Sequence, residues 1–231
     1  MWPLIRFGVI GDAWRLYKRH WATWSLAVLL VLICDSAING ALHRLVKGGE
    51  PPGPGGFRLF LPATGVIQFA VYTVVTGFLL GGLIRMASNQ LRGSAPRIGD
   101  LLSVTDVWFD LLLVGLLSGG AIGLGMGFCV IPGFIIFGLL MLAIPLVVER
   151  RLPATAAMMQ SWQALKSQWL AATILHVVLV MLSVSGMLLC GIGVLVTGPL
   201  YSIAIAILFR EFFGASSHAA ATKYSQSWPE V

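Results

Sequence analysis

Two ionisable side chains lie inside apolar stretches of the sequence and are the candidates for chemistry. Asp35 lies fourteen residues after Trp21, and His176 lies seven residues after Trp169. Ionisable residues inside a membrane are costly to bury and often mark ion paths or proton relays. At 1.5 Å per residue, Asp35 is about 21 Å along a helix that begins at Trp21. Polar Asn39 follows soon after, which favours a helix that ends there and leaves the carboxylate hydrated.

His176 has no acid and no second histidine at helical spacing. The sequence therefore favours a structural histidine whose ring bonds to a neighbouring hydroxyl or carbonyl, and a relay or ligand role is the alternative. Serine-nucleophile, metalloprotease, phosphate-loop and paired-carboxylate motifs do not occur in the sequence. The chain is predicted not to be an enzyme and to have no catalytic residues.

The three cysteines are predicted to be small buried hydrophobes. Cys34, Cys129 and Cys190 all lie in apolar context, and the chain has neither a CxxC motif nor Cys/His metal spacing. We therefore expect no metal ion and no cofactor. Whether Cys129 and Cys190 ever pair is left open by the sequence.

The composition indicates an integral membrane protein. The 231 residues are 58% hydrophobic and 10% charged, whereas soluble domains carry about a quarter charged residues. The net charge of +6 comes from basic residues that flank apolar spans, so we expect the lipid bilayer and not nucleic acid as a partner.

Six apolar stretches of 16 to 22 residues are predicted to cross the membrane, for which a helix needs about 20 residues. The prediction is an all-α polytopic bundle over residues 1–213, followed by a loose cytoplasmic tail at 214–231. Amphipathic interfacial helices are predicted at Met1–His20 and Pro153–Gln168, and Pro145 and Pro199 are expected to kink their helices. The predicted spans are 21–42, 63–84, 108–129, 133–148, 169–189 and 194–209.

A glycine stripe is predicted to organise the bundle from the third span. Small residues at every fourth position share one helix face and let two membrane helices approach closely. A pair of glycines in the second span has the same spacing and is the expected neighbour. The helix-packing residues are Gly115, Gly119, Gly123 and Gly127 in the third span, and Gly77 and Gly81 in the second.

An internal repeat is suggested by apolar and aromatic residues at matching positions. The predicted unit is an amphipathic helix, a span, a turn and a span, used three times. Gly125-Met126 with Cys129 also matches Gly186-Met187 with Cys190, although interfacial tryptophans are common enough to align by chance. The matching sets are Ile10, Trp14, Tyr17 and Trp21; Arg97, Leu101, Val104 and Trp108; and Met158, Trp162, Leu165 and Trp169.

The basic residues predict the orientation. With six spans the two termini share a side, and 12 of the 15 Lys and Arg residues lie on that side. The other three, Arg44, Lys47 and Arg58, lie in the connection at His43–Pro62. Positively charged loops stay in the cytoplasm, so both termini are predicted to be cytoplasmic.

Short motifs spread over most of the chain resemble a group of bacterial six-helix membrane proteins. The group includes the YciC-like proteins and the membrane domain fused to some glycerophosphodiester phosphodiesterases. The resemblance implies six helices in a bacterial inner membrane and no established activity, and the chain lacks a phosphodiesterase domain. The motifs are Gly11-Asp12-Ala13-Trp14, Ile131-Pro132-Gly133, Pro145-Leu146-Val147-Val148-Glu149, Ser161-Trp162 with Trp169, and Gly191-Ile192-Gly193 with Thr197-Gly198-Pro199.

Two functions are compatible with these features. The favoured hypothesis is a non-enzymatic scaffold, adaptor or assembly partner, which would bind a membrane-protein partner or a second copy of the chain. It rests on glycine-rich faces, few buried polar groups and short loops. The alternative is a small transporter or lipid-handling protein, with Asp35 and His176 beside a polar path.

Overall fold

The computed structural model describes residues 4–47, 63–128, 130–188 and 193–214. Within these ranges the chain is helical and contains no strand. Short 3₁₀ turns precede α4 at Ile98–Leu102 and Thr105–Val107, and another precedes α8 at Lys166–Gln168. The helices are α1 (Val9–Arg19), α2 (Trp21–Lys47), α3 (Ala63–Leu91), α4 (Trp108–Phe128), α5 (Val130–Leu139), α6 (Ala143–Arg150), α7 (Ala154–Leu165), α8 (Trp169–Leu188) and α9 (Val194–Phe209).

Five helical stretches of the described chain are long and apolar enough to cross a membrane, so a multi-pass helical membrane protein is confirmed. The predicted second span, 63–84, lies within α3, which is 29 residues long but is not among the five, so the count of six stays a prediction. The predicted connection before α3 and the tail at 214–231 fall almost wholly outside the described residues. The five stretches are Trp21–Ile38, Ile98–Gly125, Ile131–Arg150, Ala154–Gly186 and Val194–Gly214.

The centre of the bundle is formed by α9 and the α5–α6 segment. About half of the residues in their apolar windows are buried, 50% and 56%, against 17% in α2 and 22% in the window that contains α4. Helix α9 packs against α1, α2, α3 and α8. The glycine-rich α4 packs against α3 and α5 but is less buried than these central segments, so its role as the helix that organises the bundle stays a prediction.

The predicted fourth span is two helices and not one kinked helix. Helix α5 ends at Leu139 and α6 begins at Ala143. Pro145 has no N–H for the carbonyl of Met141, and its ring would clash with that carbonyl, so the helix breaks one turn earlier. Pro145 then lies in the first turn of α6, where a missing N–H costs little. In contrast, α9 is continuous through Pro199.

A buried serine satisfies the backbone groups that this break leaves free. The hydroxyl of Ser161, on α7, donates to the carbonyl of Leu139 at 2.6 Å and accepts from the N–H of Leu142 at 3.3 Å. In a membrane protein, backbone groups away from water need such partners. Ser161 therefore holds α5 and α6 in their broken arrangement.

Helices α1 and α7 each bury one face against the bundle. Val9, Ala13 and Tyr17 of α1 are buried, whereas Trp14 is exposed. In α7 the buried residues are mainly alanines together with Ser161, and Trp162 is exposed. Small residues allow close approach to the bundle, and Trp14 and Trp162 face outward.

Candidate functional site

His176 lies in the interior of the bundle and is 1% exposed. It comes from the first half of α8, where an apolar helix faces α5 and α9. The imidazole makes edge-to-face contacts with Phe137 of α5, at 4.1 Å between ring centroids, and with Tyr201 of α9, at 5.8 Å. Two aromatic rings thus fix its orientation.

A cavity of about 90 Å³ lies beside the imidazole and is not fully enclosed. Its walls come from α3, α4, α8, α9 and the break between α5 and α6. The break contributes Leu140 and Met141, whose backbone no longer follows a helix, and the small side chain of Ala143. The interruption before Pro145 therefore creates part of the space that His176 faces.

The imidazole has no hydrogen-bond partner among the described residues at either Nδ1 or Nε2. The sequence favoured a bond to a neighbouring hydroxyl or carbonyl, and the structure differs because His176 is flanked by rings and aliphatic side chains. A buried polar group without a partner is rare and calls for an explanation. The site can offer one hydrogen-bond donor and one acceptor to a small molecule.

Asp35 lies apart from this cavity. It is half-buried in α2, and it is not one of the residues that line the cavity. The helix does not end near it, since α2 continues to Lys47; the apolar residues after Asn39 extend the helix. The structure therefore does not bring the two candidate residues together.

The predicted glycine stripe divides into an inner and an outer part. A Cβ placed on Gly77 would lie 3.6 Å from the carbonyl oxygen of Leu111 and 4.0 Å from the Cα of Gly115. One turn further on, Gly81 faces the Leu111 side chain at 3.1 Å. Helices α3 and α4 are therefore in close contact at these glycines.

The other end of the stripe faces outward. A Cβ on Gly123 would have no heavy atom within 4 Å. Gly119 is half-buried, and the surroundings of Gly127 lie outside the described part of the chain. A contact with another helix at Gly119 and Gly127 stays a prediction.

The tightest helix contacts involve glycines that the spacing argument missed. A Cβ on Gly138 of α5 would lie 2.7 Å from the Cα of Thr173 on α8, too close for any side chain. The α4–α5 and α8–α9 hairpins each close on a pair of glycines, Gly125 with Gly133 and Gly186 with Gly193. The repeated Gly-Met-x-x-Cys motif was the available signal, since its glycines take part in both pairs.

Charged residues form a layer at one end of the bundle. Arg92, after α3, pairs with Glu149 at the end of α6, whose side chain is only 3% exposed. Asp106 bridges Arg85 at 3.3 Å and Arg151 at 2.7 Å. We call Arg85, Arg92, Asp106, Glu149 and Arg151, together with the residues of the next paragraph, the charged layer.

The charged layer also includes the two ends of the described chain. Arg6 lies 3.8 Å from Glu211, which follows α9. Arg210 donates to the carbonyl of Leu91 at 2.6 Å, and Arg150 donates to the carbonyl of Phe213 at 3.0 Å. These ion pairs and hydrogen bonds thus join the ends of α1, α3, α6 and α9 at the same end of the bundle.

In the described part of the chain, no three His, Cys, Asp or Glu side chains come together in a group that could hold a metal ion. Cys34 is a free thiol, half-buried, while Cys129 and Cys190 lie outside the described residues.

No family model, no curated protein and no solved structure matches this chain. The resemblance to YciC-like proteins therefore rests on the sequence motifs alone.

Proposed function

We propose that the chain is a six-span protein of the bacterial inner membrane that serves as a non-enzymatic scaffold, adaptor or assembly partner. The charged layer carries this proposal. A transporter that alternates between two states moves one group of helices against another. Here the cross-links of the layer join helices from the start, middle and end of the chain. Parting them would leave the buried Glu149 carboxylate unpaired, which is costly.

The same layer supports the proposed topology. It brings together four segments that the sequence assigns to one side, and these carry most of the basic residues. Exposed tryptophans begin α2, α4 and α8 near this end, as expected for an aromatic belt at a membrane interface. Helix α3, at 29 residues, would span about 43 Å. It is therefore long enough to be the sixth crossing, and the positive-inside rule assigns the charged layer and both termini to the cytoplasm.

The threefold repeat is part of the proposal. Each tryptophan-headed helix follows a shorter helical segment: α1 precedes α2, a 3₁₀ turn precedes α4, and α7 with its 3₁₀ turn precedes α8. The glycine pairs that close the last two hairpins add a second correspondence. A scaffold built from such units needs few polar residues in its interior.

Native mass spectrometry of the chain released from nanodiscs tests the scaffold role. We expect the 24.8 kDa chain to appear with a second polypeptide, either another copy or a different protein. Gly123→Leu adds a side chain at an outward position of α4 and should weaken that association. Gly40→Leu is the matched control, because Gly40 also has open space on α2. A chain that always appears without a second polypeptide contradicts the scaffold role.

The second candidate function is that of a small transporter or lipid-handling protein. The observation that favours it is the cavity beside the unpartnered imidazole of His176. At about 90 Å³ the cavity is smaller than most ligand pockets, which measure about 300–1,000 Å³. Detection of a bound lipid and no second polypeptide in the same spectra would favour this alternative.

A further inference from the structure

We propose that the cavity beside His176 binds an uncharged, membrane-soluble alcohol whose hydroxyl group hydrogen-bonds to the imidazole. This site goes beyond the scaffold role and does not depend on it. The primary observation is that both ring nitrogens are buried and have no partner among the described residues, and that His176 lines a cavity.

The ligand needs a polar atom because an unmet buried hydrogen bond is costly. A neutral imidazole has one donor nitrogen and one acceptor nitrogen. A hydroxyl group can serve either nitrogen because it both donates and accepts, whereas a carbonyl can only accept. The nearest wall hydroxyl of α4, on Ser118, is already used to donate to the carbonyl of Val114, so it offers the ligand an acceptor only.

The ligand should carry no charge. None of the side chains that line the cavity is an acid, a lysine or an arginine. An ion placed there would lose its hydration without gaining a counter-ion, which is strongly unfavourable. The arginines of the charged layer are held by other partners at the end of the bundle. A carboxylate or phosphate therefore fits poorly at His176.

The remaining walls select an apolar chain. Besides His176, the cavity is lined by apolar side chains that include Leu80, Ile84, Ile122 and Phe137. The volume of about 90 Å³ is smaller than that of an engineered cavity of about 150 Å³ that holds benzene. The cavity can thus take a hydroxyl group and the first few carbons, and because it is not fully enclosed the rest of the chain extends outward between helices.

Photolabelling of the full chain in phosphatidylcholine nanodiscs tests this site. The probe is a twelve-carbon primary alcohol with a diazirine near the hydroxyl end. Matched probes replace the hydroxyl group by hydrogen or by a carboxylate. We expect the alcohol to label peptides around Phe137 and Met141 about tenfold more than either matched probe, as one buried hydrogen bond allows. Equal labelling by alcohol and alkane overturns the proposal, because the hydroxyl group would then contribute nothing to binding.

Variants then assign the effect to the imidazole. His176→Leu removes both hydrogen-bonding atoms and should reduce alcohol labelling about tenfold, whereas His176→Gln keeps a donor and an acceptor and should stay within about threefold. Ile174→Leu, at an exposed position of the same helix, is the matched control. Unchanged labelling of His176→Leu contradicts the proposal. The comparison of probes on the unmodified chain decides the question even if a variant fails to fold.

Discussion

Replacing Ser161 by alanine should destabilise the bundle more than its small size suggests. The Ser161 hydroxyl is fully buried and bonds to both backbone groups at the break between α5 and α6. Without it, the carbonyl of Leu139 and the N–H of Leu142 lose their partners in a site with no room for bulk water. Both groups would then be unpaired in the folded state.

The magnitude follows from these two groups. An unpaired buried donor or acceptor costs about 1–3 kcal/mol, while alanine gains roughly 0.5 kcal/mol over serine in helix propensity. For two such groups the free energy of unfolding should therefore fall by about 1.5–5.5 kcal/mol. For chains of 150–250 residues, about 2–4 °C of Tm corresponds to 1 kcal/mol, so we expect Tm to fall by roughly 3–22 °C.

Thermal melts in detergent, followed by intrinsic tryptophan fluorescence, measure this change. Thr155→Ala is the matched control, since it removes a hydroxyl group from an exposed position of the same helix. Its Tm should change by less than about 2 °C, as is usual for surface substitutions. If Ser161→Ala melts at the same temperature as Thr155→Ala, the hydroxyl does not stabilise the break and the reasoning fails.

Three further outcomes are expected. A reporter that is active only in the periplasm should be active when inserted within residues 48–62 and silent when fused beyond the last residue; the opposite pattern would reverse the orientation. Gly138→Leu should lower Tm strongly because a neighbouring backbone leaves no space for a side chain, whereas Gly123→Leu, in open space, should have little effect on Tm; equal effects would contradict the packing. Arg92→Ala should lower Tm more than Glu149→Gln, because it leaves a buried carboxylate charged and unpaired. In the double variant, Glu149→Gln should restore part of the Tm that Arg92→Ala loses; if the two losses of Tm simply add, Arg92 and Glu149 are not coupled.

The sequence predicts the helical architecture well because its signals are local. Hydropathy runs and interfacial aromatics locate helix starts, and Trp21, Trp108 and Trp169 are the first residues of α2, α4 and α8. The same local signals predict one continuous helix in the fourth span, where the structure has two helices. One proline can mark a kink or a full break, and the break before Pro145 depends on a hydroxyl from a helix about twenty residues later.

The site was predictable only as a list of candidates. His176 stands out as a polar residue in an apolar helix, but its lack of partners depends on Phe137 and Tyr201, which are distant in sequence. The close contact of Gly138 with Thr173 has no spacing signal at all, because one glycine forms no pattern. Asp35 is a second case: the residues around it suggested that the helix ends there, whereas α2 continues to Lys47.

The contact between the first and last described helices sets an order for synthesis. Val9, Ala13 and Tyr17 of α1 are buried, and α1 packs against α9, which begins at Val194. Ribosomes add about 5–20 residues per second, so α1 waits roughly 10–40 s for its main neighbour. During that interval the nascent chain presents an uncovered apolar face at the membrane surface. Chaperones and membrane proteases can therefore bind or cleave the nascent chain before α9 packs against α1.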